Sequence, residues 1–134
     1  MIVKLYETKN SGGCGKIVGE IDVDGYNLLK PLDLFEKNPR EYMLYELEQA
    51  CVSQNQFLRY ANGRSCKGWQ ITDHIKYKAP VDLPDGIKIQ QSYLWHNGYL
   101  ILAIHKVHSD EIFEGKKTIE IRHTYPNKWK WREK

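Results

Sequence analysis

The eight residues Gly-Lys-Lys-Thr-Ile-Glu-Ile-Arg at positions 115–122 constrain the fold of this chain more than any other stretch. The six residues before them, 109–114, predict a short helix with Ser109 as its cap and acidic residues in its first turn. Gly115 would end that helix, because glycine enters the left-handed conformation at little cost. Polar and apolar residues alternate from Thr118 onward, and this period of two predicts a half-buried strand.

The predicted strand divides its side chains between two faces. Thr118, Glu120 and Arg122 fall on one face, while Ile119 and Ile121 fall on the other. A lysine, a glutamate and an arginine would therefore converge where the helix ends and the strand begins. Taken alone, these charges fit an ordinary solvated strand face better than a site, so the pattern by itself assigns no function.

Length and composition predict one folded unit. At 134 residues the chain is long enough for a single domain, 1–134, that buries about two-thirds of its unfolded surface. Its 41% hydrophobic and 28% charged residues are typical of a soluble globular protein. No apolar run approaches the roughly 20 residues that a membrane span needs, and the N-terminal residues alternate like a strand instead of forming a signal peptide. We therefore expect a cytoplasmic protein that does not associate with a membrane.

The cysteines and histidines predict neither a metal nor a cofactor. Cys14, Cys51 and Cys66 form an odd count without a Cys-x-x-Cys pair, which favours reduced thiols over a zinc site. His105 and His108 have the spacing His-x-x-His, but no carboxylate or cysteine accompanies them at metal-binding spacing.

Two common catalytic motifs are also missing from the sequence. The glycine-rich loop at 9–15 is followed by Lys16 and Ile17, whereas a phosphate-binding Walker loop needs Ser or Thr after its lysine. We interpret this loop as a hairpin turn. No Gly-x-Ser-x-Gly sequence provides the nucleophile elbow of a hydrolase triad.

The remaining pattern predicts an α+β chain. Helices are expected near 39–51, where Asn38 is the predicted cap, and near 54–61, where Ser53 is. Asn-Gly at 97–98 is a strong hairpin signal ahead of the most apolar strand. The predicted strands comprise residues 2–7, 16–23, 67–77, 87–95, 99–104 and 118–122.

Positions 115–122, preceded by a helix that contains Glu-Ile-Phe-Glu at 111–114, resemble the signature of ASCH domains. The family pattern is a helix ending in Gly, then Lys-Thr, a two-residue step to Glu, and an Arg two residues further on. Lys117, Glu120 and Arg122 match it position by position. The resemblance implies a small mixed β-barrel similar to the PUA domain of RNA-modifying proteins, although in the family this signature opens the domain.

Most of the remaining chain also resembles this family, but in rotated order. The segments similar to the later parts of the family pattern are residues 3–9, 15–20, 52–63, 68–83 and 91–95. The opening segment of the family, residue 99 to about 126 here, follows the closing one. The resemblance therefore implies a PUA-like ASCH barrel of about six strands with two or three peripheral helices, circularly permuted.

A circular permutant would bring its two termini together in one folded unit. The alternative is a swapped homodimer, in which the tail of one chain completes the barrel of its partner, since exchanging an identical element is a low-cost route to dimers. In both versions the strand at 118–122 lies in the same sheet as residues 2–7.

Positive charge is concentrated at the C-terminal end of the chain. The net charge is only +3, yet seven basic and three acidic residues follow position 113. Trp129 and Trp131 alternate there with basic residues and could form a strip on which nucleic-acid bases stack. They could equally link two strands of the barrel, with one tryptophan face packed against it.

The first functional hypothesis is a nucleic-acid-binding module whose ligand is RNA or a nucleotide-like molecule. The resemblance implies a cleft beside the barrel, lined by the signature residues. Lys117 and Arg122 would contact phosphate or a base edge, while Glu120 would accept from an exocyclic amine or hold a basic side chain in place. The candidate binding residues are Lys9, Lys116, Lys117, Thr118, Glu120, Arg122 and Trp131.

The second hypothesis is a small hydrolase that acts on modified cytidine nucleosides or on RNA. Some ASCH-like proteins hydrolyse acylated cytidine with the signature lysine, a threonine and a glutamate. Lys117 matches that lysine, but Glu120 occupies the position of the threonine, and Thr118 lies two residues off the pattern. This departure favours binding over catalysis; in an enzyme, Lys117 and Glu120 would be the acid–base pair. A ligand sensor or interaction domain that uses the same cleft is a third interpretation.

Overall fold

The computed structural model describes residues 1–89 and 92–126. They form an α+β unit in which a six-stranded mixed sheet curls into a half-barrel flanked by three helices. The strands are β1 (Ile2–Glu7), β2 (Ile17–Leu29), β3 (Cys66–Val81), β4 (Tyr93–His96), β5 (Tyr99–Ile104) and β6 (Ile119–Arg122). The helices are α1 (Lys37–Gln49), α2 (Gln54–Ala61) and α3 (Lys106–Phe113). Among the described residues, no helix is long and apolar enough to cross a membrane.

The strand order is β4-β5-β1-β2-β3-β6. β1 pairs in parallel with β5, and the other neighbouring pairs are antiparallel. β6 pairs with β3 of the same chain, with Trp69 opposite Glu120. The predicted strand at 118–122 therefore lies in the same sheet as residues 2–7, as expected from the sequence.

Irregular pairing in the two longest strands accompanies the curl of the sheet. β2 and β3 pair over most of their length with several register shifts, one of them between Ile17 and Gly19. Such bulges bend a strand and increase its twist. A Cβ atom at Gly19 would lie 2.4 Å from the Ile75 carbonyl oxygen and 2.6 Å from Phe113 Cζ, so only glycine lets β3 and α3 approach this closely.

The curl brings the edge strand β6 close to the opposite edge strand β4 and to the end of β5, across the open side of the half-barrel, which we call the seam. Arg122 Nη2 donates to the Ala103 carbonyl oxygen at 2.9 Å. The hydroxyl groups of Tyr93 and Thr124 lie 2.7 Å apart. Side chains, instead of a ladder of backbone hydrogen bonds, therefore join the two sides of the seam.

Two apolar clusters stabilise the fold. The first fills the concave side of the sheet and includes Val3, Leu5, Ile21, Val23, Trp69, Leu100, Leu102 and Ile112. The second packs α1 and α2 against the adjoining ends of β2 and β3 and includes Leu29, Leu34, Met43, Leu47, Phe57 and Cys66. Trp69 is fully buried, and its indole N–H donates to the Thr124 carbonyl oxygen at 2.9 Å.

Two predicted helix caps are wrong. α3 begins at Lys106 with His105 as its N-cap, and Ser109 is buried inside the helix, where its hydroxyl donates to Glu7 Oε2 at 2.7 Å. α1 begins one residue before Asn38, and its N-cap makes no side-chain hydrogen bond. For α3, the contact of Ser109 with Glu7 outweighs the local cap pattern. For α1, the helix already includes Lys37, so Asn38 lies inside it.

Other local signals are confirmed. Ser53 forms a complete capping box at the start of α2. Gly115 has φ +78° where α3 ends, and Asn97 and Gly98 have φ of +46° and +87° in the turn between β4 and β5. The predicted strand at 87–95 is shortened to β4, and Gln90 and Gln91 lie outside the described residues.

Both ends of the described chain contact the same stretch of β2. The Met1 amino group donates to Asp22 Oδ1 at 2.9 Å and to the Val23 carbonyl oxygen at 3.0 Å. Tyr125 accepts from the Gly25 amide at 3.1 Å. Residues 1 and 125 therefore both bond to residues 22–25 of β2.

Candidate ligand-binding cleft

A cleft of about 370 Å³ opens at the seam, between α2, α3 and the ends of β5 and β6. This volume lies in the range of roughly 300–1,000 Å³ that is typical of small-molecule sites. Its polar lining consists of Thr8, Gln56, Tyr60, His105, His108, Lys117, Glu120 and Arg122. Its apolar lining includes Val52, Phe57, Ile104 and Ile121.

Lys117, Glu120 and Arg122 form one ion cluster in the wall of the cleft. Glu120 Oε1 lies 3.1 Å from Lys117 Nζ, and Glu120 Oε2 lies 2.6 Å from Arg122 Nη2 and 2.7 Å from Arg122 Nε. The side chains of Lys117, Glu120 and Arg122 are 1%, 6% and 13% exposed. A single carboxylate therefore holds two cations in place while almost excluded from water.

Lys117 is held in place by carbonyl groups near the C-terminal ends of α3 and α1. The turn at Gly115 reverses the chain after α3, and the Lys117 amide donates to the Glu111 carbonyl oxygen at 3.1 Å. Lys117 Nζ donates to the Ala50 carbonyl oxygen at 2.5 Å, directly after the last residue of α1. Carbonyl groups at the C-terminal end of a helix carry partial negative charge, so they favour a cation there.

Glu120 is held in its ionised form. Burial by itself would raise the pKa of this carboxyl, but Arg122 and Lys117 outweigh it and lower the pKa to about 2. The cluster therefore carries a formal charge of +1 at neutral pH. Because both carboxylate oxygens accept from basic side chains, Glu120 has little capacity left for a ligand.

Arg122 retains hydrogen-bonding capacity toward the cleft. Its guanidinium has five N–H donors. Nε and Nη2 donate to Glu120 and to the Ala103 carbonyl oxygen. In the described part of the chain, no residue accepts from Nη1, so this nitrogen offers two donors for an anion.

A histidine in the cleft is oriented by an acidic neighbour. His108 Nδ1 lies 2.7 Å from Glu111 Oε1, three residues later on α3. Because a carboxylate only accepts, we assign the proton to Nδ1 and leave Nε2 as the second ring nitrogen. The spacing of three residues between His108 and Glu111 is the sequence signal that could have predicted this pair.

Tyr60 on α2 forms an aromatic part of the cleft wall. Its ring stacks on His123, with ring centroids 4.4 Å apart and planes 14° from parallel. His123 Nε2 lies 3.0 Å from the Tyr60 carbonyl oxygen, and Nδ1 lies 3.7 Å from Cys66 Sγ. From the sequence alone, Tyr60 belongs to the segment 52–63 that resembles the family pattern, and no other role is predicted for it.

Of the seven residues predicted for this site, three converge in the cleft: Lys117, Glu120 and Arg122. Within the described ranges, Lys9, Lys116 and Thr118 do not line it. Lys116 and Lys9 are exposed, and Thr118 donates to Gln49 Oε1 at 2.8 Å. Thr118 thus braces β6 against the end of α1. Trp131, like Trp129, lies outside the described residues.

The described residues contain no cluster of side chains suited to a metal ion. Among residues 1–89 and 92–126, no three His, Cys, Asp or Glu side chains are grouped so that they could hold a metal ion. The groups that line the cleft include the two cations Lys117 and Arg122, the oriented His108 and the aromatic rings of Phe57 and Tyr60.

Comparison of the chain with models of known protein families, with curated proteins and with solved structures finds no significant match.

Proposed function

We propose that this chain is an RNA-binding module of the ASCH type and that RNA binds in the cleft at the seam. The observation that carries this proposal is the ion cluster, in which Glu120 holds Lys117 and Arg122 at fixed positions in the cleft wall. Two immobilised cations with one counter-charge leave a positive site. Electrostatic attraction is stronger there than in water, because the surroundings are less polar.

The cationic part of the cleft suits a phosphate group. Arg122 already donates to Glu120 and Ala103, so its guanidinium is fixed before any ligand arrives. The two N–H groups that remain on Nη1 can donate charge-assisted hydrogen bonds to phosphate oxygens. A site that is ordered in advance loses less conformational entropy on binding, which favours affinity.

The shape of the cleft favours a nucleotide over a simple anion. About 370 Å³ is more space than a phosphate needs, and Phe57 and Tyr60 line the remainder. Proteins that recognise RNA by sequence usually take up unstacked bases from single-stranded regions on aromatic side chains. The excess of basic residues after position 113 adds a longer-range attraction for a nucleic acid.

The architecture supports a circularly permuted PUA-like barrel as part of the same proposal. β6 lies in one sheet with β1, and residues 1 and 125 both contact β2. A chain that continued directly from residue 125 into residue 1 would have the strand order of the ASCH pattern described above.

The test is fluorescence anisotropy with short single-stranded RNAs over a series of salt concentrations. If about three to five basic groups meet phosphates, log affinity should fall with log salt at a slope of roughly −2 to −3.5. Arg122→Ala should weaken binding far more than Lys116→Ala, because both remove one positive charge but Lys116 is exposed and pairs with Glu114. Salt-independent binding, or equal effects of the two substitutions, would overturn the proposal.

A hydrolase is the second candidate, and one observation favours it. The His108–Glu111 pair resembles a general base and the acidic residue that orients it, and no residue of the described ranges bonds to His108 Nε2, which faces a proton donor only if a ligand supplies one. The sequence-based pair of Lys117 and Glu120 is less suitable, since a carboxylate with a pKa of about 2 is a poor proton acceptor at neutral pH.

An activity assay separates the two candidates. We expect the protein to leave acylated cytidine intact, because Glu120 stands where the hydrolytic relatives in the family pattern carry threonine. Turnover of an acylated cytidine or of single-stranded RNA that is lost in His108→Ala, with RNA binding unchanged, would establish the hydrolase instead.

A further inference from the structure

We propose that the cleft contains a base-binding subsite in which the open face of Tyr60 stacks on one unpaired base while Gln56 donates to a keto oxygen on its edge. This inference rests on the proposed function and adds to it which part of the nucleotide is recognised and which bases are preferred. Its elements are the exposed ring of Tyr60, the His123 ring behind it, and Gln56 one helical turn earlier on α2.

Tyr60 has the exposure expected of a stacking surface. The residue is 45% exposed although it lines the cleft, and His123 covers one face of its ring. Among the described residues no second ring stacks on Tyr60. A base would bury this open aromatic face, and every base has a flat face that stacks in this way.

The ring behind Tyr60 is held from both of its nitrogens. His123 Nε2 lies 3.0 Å from the Tyr60 carbonyl oxygen, which only accepts, so this nitrogen carries the proton. Nδ1 then faces the thiol of Cys66 at 3.7 Å. Because His123 is fixed in this way, the Tyr60 ring is supported before a ligand binds, and stacking costs little conformational entropy.

Gln56 presents hydrogen-bond donors to the same space. It lies four residues before Tyr60, so the two side chains share one face of α2. Gln56 Oε1 accepts from the Ser53 amide at 2.8 Å in the capping box, which fixes the orientation of the carboxamide. Its Nε2 group remains as two donors, and no described residue accepts from them.

The free donors predict a preference among bases. Gln56 Nε2 donates, so a base edge that offers an oxygen acceptor suits the subsite better than an edge that offers an amine. Uracil has a keto oxygen where cytosine has an amino group, and the two bases are otherwise nearly equal in shape. We therefore expect uridine to bind more tightly than cytidine in otherwise identical single strands.

The stacking part is tested with oligo-uridine and substitutions of matched tyrosines. Tyr60→Ala should weaken binding by about 5- to 150-fold, the range measured when a stacking ring is removed, while Tyr60→Phe keeps the ring and the affinity. Tyr45→Ala is the control, because Tyr45 is 60% exposed on α1 and does not line the cleft. Circular dichroism and thermal unfolding confirm that each variant is folded.

The recognition part is tested by the ratio of affinities for oligo-uridine and oligo-cytidine. Gln56→Glu keeps an oxygen for the Ser53 amide but replaces the donors by a second oxygen, so the preference for uridine should disappear or reverse. The added negative charge lowers the affinity for both oligonucleotides alike, so this effect cancels in the ratio of the two affinities.

The outcomes distinguish this inference from the function on which it rests. If Arg122→Ala abolishes binding but Tyr60→Ala behaves like Tyr45→Ala, the base-binding subsite is wrong and the RNA-binding cleft stands. If neither Arg122→Ala nor Tyr60→Ala changes the affinity, the proposed function itself fails. An equal affinity for both oligonucleotides, or a ratio unaltered by Gln56→Glu, would overturn the role of Gln56.

Discussion

At the scale of single residues, Glu120 organises the cleft by holding two cations that would otherwise repel each other. A buried ion cluster contributes little net stability when complete, because the loss of hydration offsets the attraction between its members. Loss of one member is costly, since the remaining charges stay buried without compensation. We therefore propose a positioning role for Glu120, and under the proposed function we expect the ligand to contact Arg122, the most exposed member of the cluster.

The substitution Glu120→Gln tests this role through stability. An amide cannot neutralise Lys117 and Arg122, so we expect the free energy of unfolding to fall by about 3–5 kcal/mol. Urea denaturation followed by circular dichroism gives this value. Glu114→Gln is the control, because its pair with Lys116 is exposed and should contribute only about 0–1 kcal/mol. Equal effects of the two substitutions would contradict a positioning role.

The same carboxylate predicts a dependence of stability on pH. Burial opposes ionisation of Glu120, but Arg122 and Lys117 lower its pKa from 4.5 to about 2 in the folded protein. A lowered pKa in the folded state stabilises the protein fully above about pH 4.5, and this contribution is lost as the pH falls toward 2. The difference corresponds to on the order of 3 kcal/mol. Urea denaturation over this pH range should show a smaller acid-induced loss in Glu120→Gln than in the unmodified protein.

At the scale of elements, the sequence predicted features that depend on neighbouring residues. Ser53 and Gln56 cap α2 as expected, because the whole motif lies within one turn of helix. The stacking of Tyr60 on His123 joins residues far apart in the chain, and no local pattern encodes it. The prediction of Ser109 as a cap was wrong for the same reason. Its hydroxyl donates to Glu7 on a distant strand, and no local sequence pattern reveals that bond.

The capping box of α2 offers a prediction at this scale. Ser53→Ala removes the side-chain acceptor for the Gln56 amide, which should cost about 0.5–2 kcal/mol of stability. Ser65→Ala serves as the matched control, since Ser65 is exposed and makes no side-chain hydrogen bond to a described residue. Thermal unfolding of the two variants should separate them clearly. Indistinguishable melting curves would show that the box contributes nothing to the helix.

At the scale of the whole molecule, all six strands of the half-barrel come from one chain. The signature strand β6 pairs with β3 of the same chain, and both ends of the described chain reach β2. The alternation of the strands was readable from the sequence, but their order was not, because pairing such as that of β1 with β5 depends on segments about 100 positions apart. We expect a monomer of 15.8 kDa, and twice this mass in light scattering would instead indicate the swapped homodimer.

Joining the present termini and opening the chain elsewhere tests the permuted architecture. A chain that begins in the Asn97-Gly98 turn and connects residue 134 to Met1 through a short flexible linker should fold to the same structure. Its free energy of unfolding should differ by only about 1 kcal/mol, since loop closure depends weakly on loop length. Opening the chain between Glu20 and Ile21, in the middle of β2, should abolish folding. Amide NMR spectra of the two permuted proteins distinguish these results.

The bond from Arg122 to the Ala103 carbonyl oxygen has a consequence for motion. The same guanidinium joins the two sides of the seam and faces the cleft, so a ligand bound to it also restrains β6. Opening of the seam and release of the ligand are then one linked equilibrium. Amide hydrogens of β6 should exchange with solvent more slowly while RNA is bound, and the lifetime of the complex would set how often this edge of the sheet opens.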